Sequence, residues 1–359
     1  MTRRVSAFDA AAPLRALIGI AAALAVSAVI ILLVGVNPIT AYRAMLDGSF
    51  GNRFSLATTG VRMTPILLTG VAVALSFRAG AFNIGAEGQL YLGGAAATFV
   101  GIHGGSLPSP ILIALSLLAA FVAGAVWILV PALLKAYRGV SEIVTTLMFN
   151  FIGVLLIAYL INPTDGPMAQ PHAAFAQSPP VQESAQLPTL FPGTSLHVGL
   201  LLAVSLAIVM QLVIRFTPFG FRLRMLGSGF TAARFAGVPP RAMILKLMLL
   251  SGGIAGLAGG VEVLGLLHAL YVNFSPGYGY DGITVALLSS NSPIGCVLAA
   301  LFVGGLRAGA NNMQQVTGLE GSLVVVIQAL VILFLVWNPL RNRFKPRLAP
   351  QASEGGRVT

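Results

Sequence analysis

Apolar residues in this chain come in long unbroken runs, not in the alternating or three-to-four-residue patterns of soluble strands and helices. The clear runs cover 16–36, 61–77, 110–133, 142–161, 198–214, 244–267 and 321–337. A bilayer core takes about 20 apolar residues per helix, so each run predicts a spanning helix. Three further segments, 86–101, 281–290 and 294–310, are shorter or richer in glycine. Together they predict an all-α polytopic membrane protein of about ten segments. The stretch 281–290 is short enough to be a half-helix or re-entrant piece. The first run is longer than the roughly 7–15 residues of a secretory signal, and no small-residue cleavage site follows it, so it reads as a retained span.

Composition agrees. Of 359 residues, 57% are hydrophobic and 9% charged, with mean hydropathy +0.89; a soluble domain carries about 25% charged residues. A net charge of +11 raises the question of nucleic acid. The basic residues instead gather in loops between apolar runs and at the termini, and no nucleic-acid module is visible. Membrane lipid is the expected partner. The single cysteine, Cys296, excludes an internal disulfide.

Charge fixes the sidedness. Arg3, Arg4 and Arg15, then Arg78, then Lys135 and Arg138, then the loop 215–246, then Arg341, Arg343, Lys345 and Arg347 all fall on one side when ten spans are threaded. That side is the cytoplasm, and both termini lie there. Loop 37–60 is the exception, with Arg43 and Arg53 outside. The expected organisation is a cytoplasmic N-terminus at 1–15, a first transmembrane half at 16–161 and an external Pro/Gln-rich loop at 162–197. A second half at 198–337 and a basic tail at 338–359 follow. Five spans per half put the second half in the membrane upside down. A short echo, Gly70-Val71-Ala72-Val73 before Ala86-Glu87-Gly88 and Gly260-Val261-Glu262-Val263 before Tyr280-Asp281-Gly282, points to inverted repeats, an arrangement that places a transport path at the repeat interface.

Chemistry is scarce. None of the three lysines follows a glycine, so there is no phosphate-cradling loop. The four histidines (His103, His172, His197, His268) lack metal-ligand spacing, and no nucleophile constellation is suggested. The chain is not expected to be an enzyme or to hold a cofactor or metal. Energy for transport would come from a partner or, alternatively, from an ion gradient acting on Glu262 or Asp281.

The loop from Arg215 to Lys246 holds six basic residues and no acid. Within it, Thr231-Ala232-Ala233-Arg234-Phe235-Ala236-Gly237 is a short helix-like insert stopped by Pro239-Pro240. Charge alone sets topology, but it does not account for this insert, which reads as a docking surface. The stretch Phe77 to Tyr91, FRAGAFNIGAEGQLY, breaks the apolar pattern with Arg78, Asn83, Glu87 and Gln89 among three glycines. Polar groups at membrane depth face protein or a water-filled path.

These blocks, with Val140 to Asn150 and Ser275 to Ile283 (SPGYGYDGI), resemble in order the permease subunits of ABC importers for branched-chain amino acids, simple sugars and nucleosides, most closely the nucleoside-uptake branch. The resemblance covers about residues 60 to 337. It implies a separate ABC ATPase docked on 231–237, a second permease subunit or a second copy of this chain, and an external substrate-binding lipoprotein. It also implies a multi-pass protein of the bacterial inner membrane. The cargo it implies is a small polar solute, a nucleoside first, with a simple sugar or a branched-chain amino acid the alternatives.

The candidate pathway residues are Asn83, Glu87, Gln89, Asn150, Glu262 and Asp281. Each has a structural alternative. Glu87 and Glu142 sit at helix starts, where the dipole favours a carboxylate. Asn150 lies about 12 Å into its helix and needs either a neighbouring helix or cargo. Glu262 falls near the outer mouth and is free to pair with Arg307. Gly252, Gly256 and Gly260 recur every four residues, a helix-packing pattern. Phe274, Tyr278 and Tyr280 mark the interface or offer stacking for a nucleobase.

Overall fold

The computed structural model describes residues 11–321, 323, 325–330 and 333, with side chains from residue 21 onward. Predicted segments 1–15 and 338–359 lie largely or wholly outside the described residues, and 321–337 lies outside them at 322, 324, 331, 332 and 334–337. Every regular element among the described residues is helical; the only β pairing is two isolated bridges, Gln177 with Tyr271 and Thr189 with His197.

The chain divides into two compact units. One includes α1 (Ala11–Leu33), in which Ala23, Ser27 and Ile31 form a buried stripe at four-residue spacing. The other spans Ile39–Gly321.

In this larger unit the helices are α2 (Pro38–Phe50), α3 (Arg53–Arg78), α4 (Ala86–His103), α5 (Ser109–Leu133), α6 (Glu142–Leu160), α7 (Gly199–Phe216), α8 (Pro218–Ser228), α9 (Phe230–Phe235), α10 (Pro240–Glu262), α11 (Tyr278–Leu288) and α12 (Pro293–Thr317). Single π-turns extend α5 to Arg138 and α10 to Leu267. Six helices among the described residues are long and apolar enough to cross a membrane: α3, α5 and α10 with its π-turn, together with α6, α7 and α12. Two of the expected ten differ for local reasons. The 18-residue α4 opens on polar residues, and the 11-residue α11 is too short to span.

The loops also differ from expectation. The stretch 37–60 contains α2, and α3 starts eight residues before the apolar run because Asn52 caps it, accepting from the Phe54 and Ser55 amides at 2.9 Å. Most of 311–320 continues α12.

Helices α3 and α10 form the centre, with 89% and 83% of their most apolar windows buried, against 22–33% for α5, α6 and α7. The outer three present Val126, Phe151, Leu155 and Leu201 outward, as a lipid-facing surface does. The centre is close-packed through glycine. A Cβ on Gly259 would meet the Leu90 carbonyl at 1.9 Å, one on Gly93 the Gly256 carbonyl at 2.1 Å, and one on Gly256 the Ala120 carbonyl at 2.2 Å. Backbone thus touches backbone where α10 passes between α4 and α5, and the predicted Gly252-Gly256-Gly260 face is that contact.

The stretch 162–197 has no helix beyond a 3₁₀ turn at Glu183–Ala185. It is nevertheless tied down. Val181 N donates to His268 O at 2.8 Å, Leu187 N to Leu264 O at 2.9 Å and Gln182 N to Gly101 O at 3.1 Å. His197 is fully buried at its end, packed on Gly265, with Nδ1 accepting from Gly199 N at 3.2 Å and Nε2 unpartnered. Burial, with His268 nearby, holds its pKa down to about 4.

Candidate functional site

Two helix starts meet inside the bundle. After Arg78 the chain turns back and runs irregularly through 79–85, buried at Ala81, Asn83 and Gly85, before α4 begins. After His268 it runs irregularly through 268–277 before α11 begins. Gly277 carries φ +98 at that junction, a conformation that suits glycine. The starts of α4 and α11 abut: a Cβ on Gly279 would lie 2.3 Å from Glu87 N. Depth follows from α3 and α12. The Tyr278 carbonyl accepts from Thr69 Oγ1 at 2.9 Å, and Thr69 is about 24 Å from one end of α3 and about 14 Å from the other.

Each start has lost its first-turn backbone partners, and side chains from other segments replace them. Glu87 on α4 accepts from Gly279 N of α11 at 2.6 Å. Asn150 on α6 accepts from Gly88 N at 2.8 Å and donates to Ile84 O at 2.9 Å and to the Tyr280 hydroxyl at 3.3 Å. Asn83 and Gln89 bond each other twice at 2.9 Å; Asn83 also donates to Ser251 Oγ, which itself donates to Ala72 O at 2.7 Å. Four of the six predicted pathway residues therefore form one buried polar cluster that holds irregular backbone in place. Asn150 finds its partner in neighbouring chain. The carboxylate of Glu87 serves a different helix start, not only its own.

The remaining two separate. Asp281 pairs with Arg307 of α12, which also donates to Pro276 O at 3.1 Å. Glu262 is not the partner of Arg307. It is buried on α10 against the Tyr278 hydroxyl, with Oε2 unpartnered. Arg62 of α3 donates to that same hydroxyl at 2.7 Å. Arg62 also lines an open cavity of about 260 Å³, together with Phe54, Thr58, Thr194, Ser195 and Leu266. Glu142 opens α6 directly after Ser141, as expected, and also reaches beyond its own helix. Its carboxylate accepts from Phe82 N at 3.1 Å and pairs with Lys135 at 2.7 Å, joining three segments.

Sequence reasoning missed Arg62, Tyr278 as a buried hydroxyl and Ser251. Arg62 carried a signal, since it is the only charge within the run 61–77. Of the three aromatics offered for stacking, Phe274 and Tyr278 are buried, the former edge-on to Tyr91. Only Tyr280 is exposed, at 41%.

The predicted docking insert is α9. Ala233 and Val238 are buried and joined by Val238 N to Ala233 O at 2.9 Å. Thr231, Arg234, Ala236 and Gly237 are exposed, Ala232 is half-buried, and Phe235 stands 89% exposed. Phe235 thus projects outward from a helix whose opposite face is anchored on its own chain. Ala233 faces its own chain and not outward. Beside α9, α8 lies hard against the end of α3: a Cβ on Gly227 would meet the Arg78 carbonyl at 2.3 Å. Arg224 folds back to the Ile214 carbonyl, whereas Arg222 is exposed.

Residues 55–336 match the family described as branched-chain amino acid transport system / permease component. A glucose ABC transporter permease protein, TsgB13 of Haloferax volcanii, is 39% identical over 91% of this chain and 88% of its own length. The guanosine ABC transporter permease protein NupP of Bacillus subtilis is 38% identical over 89% and 91%. The nucleoside ABC transporter permease protein NupB of Lactococcus lactis is 29% identical over 89% of each.

Proposed function

Because the chain belongs to the branched-chain amino acid transport system permease family, we propose that it is the membrane-spanning subunit of an ATP-driven importer whose cargo is a nucleoside. Its ATPase is a separate subunit. A second permease, or a second copy of this chain, completes the path, and an external binding lipoprotein delivers the cargo. The chain lies in the bacterial inner membrane with both termini cytoplasmic. Its ten segments form two inverted halves of five that meet where α4 and α11 begin. The guanosine and nucleoside relatives favour this cargo; the glucose relative favours a simple sugar as the second reading.

The observation that carries the reading is α9, a six-residue helix on the basic loop with Phe235 held outward. Closure of an ATPase pair around Phe235 moves α9. The anchors Ala233 and Val238 pass that motion to the adjoining α10, and α8 passes it to the end of α3. Thr69 on α3 holds the start of α11, so the junction of α4 and α11 moves with it. Nucleotide state thereby sets which side of the path is open.

Phe235→Asp tests this. The expected result is loss of ATPase co-purification and at least about tenfold lower ATP-dependent uptake, since a charge replaces an aromatic ring that docking would bury. Normal uptake by this variant overturns the docking role. Uptake by the chain alone, driven by a pH or Na⁺ step in proteoliposomes, overturns the ATP-driven reading.

A further inference from the structure

A polar stripe of Tyr280, Asp281 and Thr284 runs along the exposed side of α11 at mid-depth, beside Ile283 and the exposed Leu287. Tyr278, Gly279, Gly282, Val285 and Ala286 are buried, while Tyr280 is exposed and Asp281 and Thr284 are half-buried. Arg307 meets Asp281 there, about 21 Å from one end of α12 and about 15 Å from the other. The two side chains retain 24% and 12% of their exposure. From Arg307 the polar residues continue along α12 at helical spacing, through Asn311 and Gln314, both exposed. An ion pair that keeps some exposure at this depth faces water, protein or a polar ligand and not lipid, and we read this stripe as facing a polar ligand.

Two groups on the stripe are held in place yet keep a free side. The Tyr280 hydroxyl accepts from Asn150, and the residue as a whole keeps 41% of its exposure. Arg307 occupies Oδ2 of Asp281, and Oδ1 has no hydrogen-bond partner among the described residues. Arg307 is itself committed to Asp281 and to the Pro276 carbonyl, with its guanidinium 5.7 Å from the Tyr278 ring centre. The pair thus offers an acceptor beside an aromatic plane.

We propose that this stripe is the cargo contact, with the Tyr280 ring stacking on the nucleobase and Asp281 Oδ1 accepting from the vicinal hydroxyls of the ribose. The assignment rests on the nucleoside reading above. A carboxylate oxygen accepts from two neighbouring hydroxyls, and a sugar without a base fills only half of the site. Asn150 and Arg307 are positioning residues that act through Tyr280 and Asp281.

The test uses the assembled importer, with its ATPase and external binding protein, in proteoliposomes. The probes are labelled guanosine and 2′,3′-dideoxyguanosine. The binding protein's own preference is common to all variants and cancels when their ratios are compared. Tyr280→Leu should lower guanosine kcat/KM about tenfold. Asp281→Asn should shrink the preference for guanosine over the dideoxy compound by about tenfold. Unchanged size and ATPase content check assembly. Wild-type rates in Tyr280→Leu, or an undiminished preference in Asp281→Asn, overturn the proposal. Loss of assembly in Tyr280→Leu also overturns it, by assigning the face to a subunit contact. A wild-type importer that takes up no guanosine overturns the nucleoside reading together with this one, whereas insensitive variants of a guanosine-competent importer overturn this one alone.

Discussion

Asn150 shows what a single polar side chain at depth can hold together. Its amide satisfies one donor and one acceptor of the irregular entry to α4 and steadies Tyr280 as well. Asn150→Ala leaves the buried Gly88 N–H and Ile84 C=O without partners, at a cost of at least about 2 kcal/mol. The expected outcome is a lower thermal midpoint for the purified chain; an unchanged midpoint would show that water replaces the amide. His197 gives a pH signature. Its folded pKa of about 4 lies below the ordinary 6.5, so the unfolded chain takes up the proton first as pH falls. Stability is complete above about pH 6.5 and declines toward pH 4, by up to about 3 kcal/mol. Thermal unfolding of the wild type and His197→Asn between pH 7 and 4.5 checks this, and the variant should lose most of the slope. Asn83, Glu87, Gln89 and Asn150 were recognisable from residue type alone, as polar groups set in apolar runs. Their partners on other elements were not, because those bonds reach residues 62 to 192 positions away, and one sequence does not record proximity.

Among the elements, α10 is the one whose sequence told most. The four-residue glycine spacing predicted close approach, and the carbonyls of Leu90, Gly124 and Ala120 stand where Cβ atoms would be. Those neighbours are backbone and cannot step aside. Gly259→Ala should therefore abolish folded, monodisperse protein, whereas Gly305→Ala, facing the Phe50 ring at 3.0 Å, should be recovered with a modestly lower midpoint. Yield and size-exclusion profile distinguish the two. Hydropathy was a poorer guide to α2, α3 and α11. It placed the start of α3 at 61, because Arg53, Ser55, Thr58 and Thr59 dilute a helix that a capping Asn52 has already begun. It placed α11 at 281, because the glycines of Tyr278 to Gly282 look like loop, although α11 packs there against α3 and α4.

Across the molecule, the sidedness of the loops remains the most exposed claim. Phe235 on the basic loop and Phe175 in the Pro/Gln-rich stretch are 89% and 77% exposed, and the one native cysteine is buried. A membrane-impermeant maleimide applied to intact cells should label Phe175→Cys and spare Phe235→Cys, and inverted vesicles should give the reverse. Labelling of Phe235→Cys in intact cells would undo the assignment of α9 to an ATPase. The fold class and the order of segments were legible because the hydrophobic requirement of a bilayer is written residue by residue. The junction of α4 with α11 was not, since only the assembled chain brings residue 87 to residue 279.

That junction makes the two halves of the polypeptide mutually dependent. Glu87 and Asn83 precede the long tether at 162–197, while Gly279 and Ser251 follow it. Severing the tether with chymotrypsin at Phe175 should accordingly leave two fragments that migrate as one particle in mild detergent. Genes encoding either fragment by itself should yield no soluble product, and expressing both in one cell should restore it.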